Sequence, residues 1–280
     1  MPDTQGMKLL LRESSVIRAI GTSILFWIVF IALLVVSGFL SNSFLPSAQS
    51  RLAYGVLGSL AALLVTWIFL KIEKRSFREI GLTWEWKTLP RFFAGLIIGS
   101  LILGFILLAL ILFSDLQFSL NPEPFTLMMF APYIIFIPLA FMEEAGFRAY
   151  TLLKLNKAVG TIAMQFIVAI AFALYHMANG WSIEAAFLGT FVWAWVFGLA
   201  AIWSGGIALP AGLHVALNVL QGLTGLKPGN NSIWVITFGD AAQQNIISGA
   251  DRIGLIMQVV ILLMAVGLTI LYVRKQRLSA

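Results

Sequence analysis

Long apolar segments separated by short polar ones recur along the whole 280-residue chain. Each segment holds about 20 residues, the length that an α-helix needs to cross the hydrocarbon core of a bilayer. The segments show no apolar–polar alternation and are about twice as long as a membrane β-strand, so a closed barrel is not indicated. The pattern predicts an all-α, polytopic integral membrane protein with about eight transmembrane helices, near residues 20–40, 52–71, 92–113, 125–147, 158–178, 184–203, 207–224 and 253–273.

The composition fits a chain whose main solvent is lipid. Hydrophobic residues make up 60% of the chain and charged residues 11%, whereas about 25% of an ordinary soluble domain is charged. The chain has no cysteine, which excludes a disulfide framework, a thiolate metal site and a thiol nucleophile. We expect residues 20–274 to form a single membrane domain between a cytoplasmic N-terminal segment, 1–19, and a cytoplasmic tail, 275–280.

The net charge of +6 does not indicate nucleic-acid binding, because the basic residues follow the predicted topology. If the N-terminus is cytoplasmic, all of them fall on the cytoplasmic side except Arg51, Lys227 and Arg252. Basic residues mark the cytoplasmic loops of membrane proteins. We therefore expect both termini in the cytoplasm. As a separate expectation, we place the chain in a bacterial cytoplasmic membrane.

Two adjacent carboxylates, Glu143 and Glu144, lie inside the fourth apolar segment. A charged side chain at the centre of a membrane helix costs about 2.5–3.5 kcal/mol on the gentler insertion scale. Arg148 follows Glu144 by one helical turn, so these two side chains share a helix face and can pair. Glu143 points to another face of the helix. The spacing predicts that Glu144 forms a structural pair with Arg148 and that Glu143 is free for chemistry.

The only two histidines of the chain, His176 and His214, also lie in apolar segments. A lone histidine on such a helix is usually a packing residue, and a Glu-Glu pair at a helix end is usually solvated. Both interpretations weaken when the acidic pair and both histidines are all placed where burial is costly. Glu143 and His176 are nearly equidistant from the turn at residues 154–160. They can meet at one depth if this helical hairpin extends into the cytoplasm.

Three short motifs follow one another on successive apolar segments: EExxxR (Glu143, Glu144, Arg148), FxxxH (Phe172, His176) and HxxxN (His214, Asn218). In this order they resemble the CPBP family of intramembrane proteases, which includes CAAX prenyl endopeptidases and bacteriocin-processing or immunity proteins. The resemblance covers residues 125–224, which we take as the catalytic core of the membrane domain.

The resemblance implies hydrolysis of a peptide bond of a membrane-associated peptide or protein, in a cavity open to the cytoplasm. We expect Glu143 and His176 to hold and activate water, His214 and Asn218 to stabilise the oxyanion, and Phe172 to support the site. No cofactor is then required. In a competing interpretation, Glu143, His176 and His214 bind zinc, although the HExxH signature is absent.

Two other functions remain open. A non-catalytic membrane scaffold or bacteriocin-immunity protein would keep the same fold without turnover. A proton-coupled transporter would use buried glutamate and histidine as proton relays, but the sequence shows none of the inverted repeats typical of transporters. The sequence predicts no nucleic-acid partner and specifies neither the oligomeric state nor the choice between a prenylated CAAX-type protein and a leader peptide.

Overall fold

The computed structural model describes residues 4–114, 116–123, 126–227, 232–237 and 243–279. These residues form nine α-helices, two 3-10 segments, one π-helical segment and two short strands. In chain order they are α1 (Thr4–Phe44), α2 (Ser47–Ile72), a 3-10 segment (Phe77–Ile80), α3 (Thr88–Phe113), β1 (Gln117–Leu120), a 3-10 segment (Leu127–Ile135), α4 (Phe136–Arg148), α5 (Tyr150–Val159), α6 (Thr161–Ala178), a π-helical segment (Ala185–Thr190), α7 (Phe191–Ser204), α8 (Ala208–Leu223), β2 (Trp234–Thr237) and α9 (Gln243–Leu278).

Seven helical segments in this part of the chain are long and apolar enough to cross a bilayer. The predicted all-α, polytopic membrane fold is therefore confirmed. The eighth predicted span, 207–224, is the 16-residue helix α8, which is about 24 Å long at 1.5 Å per residue. That is shorter than the roughly 30 Å of a hydrocarbon core.

The predicted borders of the membrane domain fall within helices. Helix α1 begins at Thr4 and α9 continues to Leu278, so the predicted segments 1–19 and 275–280 largely extend these two helices. Residues 1–3 and 280 of these segments lie outside the described residues.

Helices α3 and α8 pack closely through glycine. A Cβ atom on Gly95 of α3 would meet the carbonyl oxygen of Leu209, and one on Gly212 of α8 would meet that of Phe92. Small residues let membrane helices approach each other in this way, since lipid supplies little hydrophobic driving force between helices. The contact fixes the position of α8, which carries His214 and Asn218.

The sequence analysis predicted a turn between two spans at residues 154–160, and the structure has helix α5 there instead. It adds ten residues between α4 and α6, or about 15 Å of helix. Its first residue, Tyr150, packs its ring on Phe26 of α1 and Phe69 of α2, with centroids 5.1 and 5.6 Å away. Because of this extra length, α6 begins farther from Glu143 along the axis of the bundle. His176, near the end of α6, therefore lies at about the same depth as Glu143.

An ion pair holds α5 to the segment after α2. The Tyr150 hydroxyl donates to Glu73 Oε1 at 2.6 Å, and the Lys154 ammonium group pairs with the same oxygen. Partial burial would raise the pKa of Glu73, but the hydrogen bonds from Lys154 and Tyr150, with the nearby positive charges, lower it overall.

The connectors define two ends of the helix bundle. Strands β1 and β2 pair antiparallel, with Leu120 opposite Trp234, and so join the connectors that follow α3 and α8. We call this the strand end. At the other end, Glu73 contacts α5, and a Cβ on Gly81 would meet the Gly205 carbonyl after α7. We call this the basic end, because the connector 71–91 there carries six basic residues: Lys71, Lys74, Arg75, Arg78, Lys87 and Arg91.

Candidate active site

Glu144 and Arg148 form the predicted pair. Arg148 Nη1 donates to Glu144 Oε1 at 2.8 Å, and neither side chain is exposed. The guanidinium group lies over the rings of Phe172 and Phe197, 4.5 and 5.1 Å from their centroids. Among the described residues, Arg148 Nε and Nη2 have no hydrogen-bond acceptor. The two aromatic faces are therefore part of what stabilises the buried cation.

His214 bridges the two glutamates. Its Nδ1–H donates to Glu144 Oε1 at 2.9 Å, while its Nε2 lies 3.7 Å from Glu143 Oε2. The ring stacks on Phe197, with centroids 4.5 Å apart and an interplanar angle of 17°. Glu144 thus accepts hydrogen bonds from both Arg148 and His214. The Nε2 atom of His214 is left facing Glu143.

His176 is fixed by its own helix. Its Nδ1 lies 2.9 Å from the carbonyl oxygen of Phe172, and because a carbonyl can only accept, Nδ1 carries the proton. In the neutral ring, Nε2 then offers a lone pair. The FxxxH spacing therefore has two uses, since the Phe172 ring packs on Arg148 and its carbonyl sets the His176 tautomer.

All four predicted catalytic residues line one cavity of about 780 Å³. Glu143, with 15% of its side chain exposed, lies in its wall together with His176, His214 and Asn218. Within the described residues, no hydrogen bond or ion pair joins Glu143 to His176 directly. The two side chains are brought to a shared space that is large enough for a peptide segment and water.

Lys227 is a cavity residue that the sequence analysis did not select. Its ammonium group donates to Asn218 Oδ1 and lies 5.8 Å from the ring centroid of Phe136. Burial lowers the pKa of Lys227, opposed by the negative charge of Glu143. Because an ammonium group has only donors, the Asn218 amide must turn its oxygen toward Lys227 and its NH₂ group away.

Phe197 and the pair Tyr54–Tyr175 were also missed. Phe197 covers both His214 and Arg148, and the two tyrosine hydroxyls lie 3.5 Å apart in the cavity wall. Aromatic residues in apolar helices carry no sequence signal that separates a site wall from a lipid-facing surface. Lys227 did carry a signal, since it is one of only three basic residues on its predicted side of the membrane.

The cavity lies in the half of the bundle nearer the strand end. Its α2 residues, Arg51 and Tyr54, come from the start of that helix, and Asn179 follows the end of α6. Gln221 and Lys227 come from the end of α8 and the residues after it. This position differs from the cytoplasmic opening that the resemblance implies, because the basic end is the one predicted to be cytoplasmic.

The zinc interpretation requires Glu143, His176 and His214 to lie around one metal ion. Within the described part of the chain, no three carboxylate or imidazole groups are close enough together to hold one metal ion. His214 donates Nδ1–H to Glu144, which leaves Nε2 as the ring atom that could bind a metal. Glu143, His176 and His214 are therefore not grouped as a preformed metal site, and the metal-free mechanism stays a prediction.

Comparison with protein families identifies the part of the chain that carries these residues. Residues 122–220 match the family model of type II CAAX prenyl endopeptidase Rce1-like proteins. The match confirms the resemblance predicted from the three motifs and includes all seven motif residues. No curated protein matches the chain.

Proposed function

From the match of residues 122–220 to the Rce1-like endopeptidases, we propose that this integral membrane protein is an intramembrane endopeptidase. Its reaction is hydrolysis of a peptide bond in a membrane-associated substrate by water that Glu143 activates. The four residues in catalytic roles are Glu143, His176, His214 and Asn218, with Glu144, Arg148 and Phe172 supporting them.

The contrast between the two adjacent carboxylates carries this proposal. Glu144 is fully buried and accepts hydrogen bonds from Arg148 and His214, so its charge is already compensated. Glu143 faces the cavity and is partly exposed. A purely structural pair would bury both carboxylates, whereas a general base must keep a lone pair accessible to water.

Glu143 and His176 bind the attacking water through its two protons. The Glu143 carboxylate accepts one hydrogen bond, and the unprotonated Nε2 of His176 accepts the other. This arrangement aims an oxygen lone pair at the carbonyl carbon of the substrate. As the C–O bond forms, Glu143 takes the proton, and the carbonyl oxygen becomes an oxyanion.

His214 and Asn218 stabilise that oxyanion. Protonated at both nitrogens, His214 donates Nδ1–H to Glu144 and Nε2–H toward the oxyanion, so the charge on Glu144 offsets the imidazolium. The Asn218 NH₂ group is the second donor. Collapse of the intermediate breaks the C–N bond, and Glu143 returns its proton to the leaving amine.

A comparison of new protein termini tests the proposed function. Membranes from cells that contain the wild type, Glu143→Gln or Glu184→Gln are analysed by mass spectrometry for peptides that begin at non-native N-termini. Glu184 is an exposed acidic residue outside the site and serves as the matched control. We expect a set of termini that is present with the wild type and Glu184→Gln and absent with Glu143→Gln. Identical sets in all three samples would support the scaffold or the transporter instead.

We propose a mechanism in which the protein needs no metal. Elemental analysis of the purified protein should then give no stoichiometric zinc, and proteolysis should survive a chelator. One zinc per chain, together with activity that a chelator removes and zinc restores, would overturn this part of the mechanism and leave the peptidase assignment intact.

A further inference from the structure

A second cavity, of about 560 Å³, reaches the basic end of the bundle. Among the described residues, none lines both this cavity and the catalytic one. Its walls come from the middle of α2, the start of α3, the first half of α4, the start of α8 and the connectors that precede α3 and follow α7. We call it the connector cavity.

The connector cavity is polar at one end and apolar at the other. Arg78, in the connector before α3, and Arg91, in the first turn of α3, line the polar end. Leu63 of α2 and Phe141 of α4 line the apolar end. Leu63 stands nine residues before the end of α2 at Ile72, or about 14 Å at 1.5 Å per residue. The cavity therefore runs from the end of the spans toward the middle of the bundle.

The polar end has a defined shape, because the connector before α3 is folded against the bundle. A Cβ atom on Gly81 would meet the carbonyl oxygen of Gly205, which follows α7. The amide and the hydroxyl group of Ser76 both donate to Glu79 Oε1, at 2.9 and 3.0 Å. These bonds hold the 3-10 segment that carries Arg78, so its guanidinium group enters the cavity wall from an ordered backbone.

The positive charge at the polar end is not compensated within the protein. Glu73 of the same connector is already paired with Lys154. Within the described residues, no ion pair joins a carboxylate to Arg78 or Arg91, and Glu85 is the single acidic residue in the described lining. Two guanidinium groups beside one carboxylate leave a net positive charge, which attracts an anion.

The connector before α3 lies at the level of the lipid headgroups. The candidate membrane spans Gln49–Ile72 and Thr88–Phe113 lie directly before and after it. Trp84 and Trp86 within it are 76% and 81% exposed, and tryptophan is enriched at the membrane–water interface. The polar end of the cavity therefore stands at the depth of phosphate groups, and the apolar end stands at the depth of acyl chains.

We propose that the connector cavity binds one anionic phospholipid of the bilayer, with its phosphate group on Arg78 and Arg91 and an acyl chain along Leu63, Ile137 and Phe141. Guanidinium groups form charge-assisted hydrogen bonds to phosphate oxygens, and basic pockets between membrane helices bind the headgroups of anionic lipids. A free phosphate ion would use the arginines but not the apolar end. The site is independent of the proposed peptidase reaction.

Native mass spectrometry of the purified protein in detergent tests the proposal. The probes are dioleoylphosphatidylglycerol, dioleoylphosphatidylethanolamine and inorganic phosphate as a competitor. Arg78→Gln/Arg91→Gln removes the two cavity charges. Lys71→Gln/Lys87→Gln is the matched control, because it removes the same charge from exposed positions outside the cavity lining.

We expect phosphatidylglycerol to bind the wild type and the lysine control with similar affinity. It should bind Arg78→Gln/Arg91→Gln about tenfold more weakly. Phosphatidylethanolamine, which carries no net charge, should bind the wild type more weakly than phosphatidylglycerol does. Inorganic phosphate at the concentration of the lipid should not displace phosphatidylglycerol, because it lacks the acyl chain.

A further variant tests the apolar end. Ile137 is 49% exposed, so Ile137→Trp can fill part of the cavity without displacing a helix. We expect weaker binding of phosphatidylglycerol, with an unfolding temperature in detergent close to that of the wild type. Unchanged binding would place the lipid on the protein surface outside the cavity and would overturn the proposal.

Three other results would also overturn it. One is an equal loss of phosphatidylglycerol binding in the arginine variant and the lysine control, which would mean that binding follows the overall charge. Another is binding of phosphatidylethanolamine as tight as that of phosphatidylglycerol. The third is displacement of the lipid by inorganic phosphate at equal concentration. Since none of these measurements requires turnover, failure here is distinct from failure of the peptidase assignment.

Discussion

At the scale of single residues, Arg148 is the buried cation that compensates the charge of Glu144. It is fully buried, and Glu144 is its carboxylate partner. Arg148→Ala leaves the Glu144 carboxylate without this cation, and loss of one partner of a buried pair costs about 3–5 kcal/mol. We expect a large loss of folded yield and a lower thermal unfolding temperature in detergent, whereas Arg274→Ala, at an exposed position, should resemble the wild type.

A double variant separates this pairing from simple loss of packing. If the unpaired charge causes the defect, Glu144→Gln/Arg148→Met should be more stable than Arg148→Ala, because no uncompensated charge remains. A double variant as unstable as Arg148→Ala would mean that packing against Phe172 and Phe197 dominates.

Lys227 should act on turnover through Asn218. Asn218→Ala removes one oxyanion donor, which costs about 10²–10³ in turnover. Lys227→Met frees the amide to rotate, so it should slow turnover, but by no more than Asn218→Ala does. In kinetic assays, the double variant should then be no slower than Asn218→Ala alone, since both changes remove the same interaction. Multiplicative losses in the double variant would show that Lys227 contributes independently of the amide.

At the scale of helices, the contact of α3 with α8 sets the position of the oxyanion donors. Gly95→Val would drive a side chain into the backbone of α8 at Leu209, and we expect lower folded yield and weaker activity. Gly104 lies on the same helix with open space around its Cβ position, so Gly104→Val is the matched control. Size-exclusion profiles of the two variants provide the measurement, and equal profiles would show that the close approach is not required.

The helix contacts also show which features could be predicted from the sequence and which could not. The spacing of Glu144 and Arg148 on one helix face predicted their pair, because contacts within a helix follow from its periodicity. The bridge from Glu144 to His214 and the cover by Phe197 depend on how three helices pack, which periodicity does not specify. The sequence analysis places a turn at residues 154–160 because two apolar segments must be connected there, yet residues 154–159 belong to α5, which packs on α1 and α6.

At the scale of the whole molecule, the charge pattern predicts that both termini are cytoplasmic. Ser279→Cys lies at the exposed end of the chain and should react with an impermeant thiol reagent only in inverted vesicles. The paired strands β1 and β2 bring two connectors to one end, as this topology requires. A reaction of position 279 in intact spheroplasts would reverse the orientation.

The position of the cavity could not be predicted from the sequence. The motifs identified the residues that line it, but they carry no information on which helix ends leave space between them. That space depends on side chains from Arg51 to Gln258, which come from six α-helices, the π-helical segment and their connectors.

The most direct test of the account is the turnover of purified Glu143→Gln on a substrate identified from the missing cleavage sites, with thermal unfolding measured in parallel. Removing a general base costs about 10²–10⁴ in rate. The account predicts a loss of that size with an unfolding temperature close to that of the wild type, because Glu143 faces the cavity and its contact with His214 Nε2 is long, at 3.7 Å. A Glu143→Gln protein that turns over like the wild type, beside a stable but inactive Glu144→Gln protein, would contradict it and move the base to Glu144.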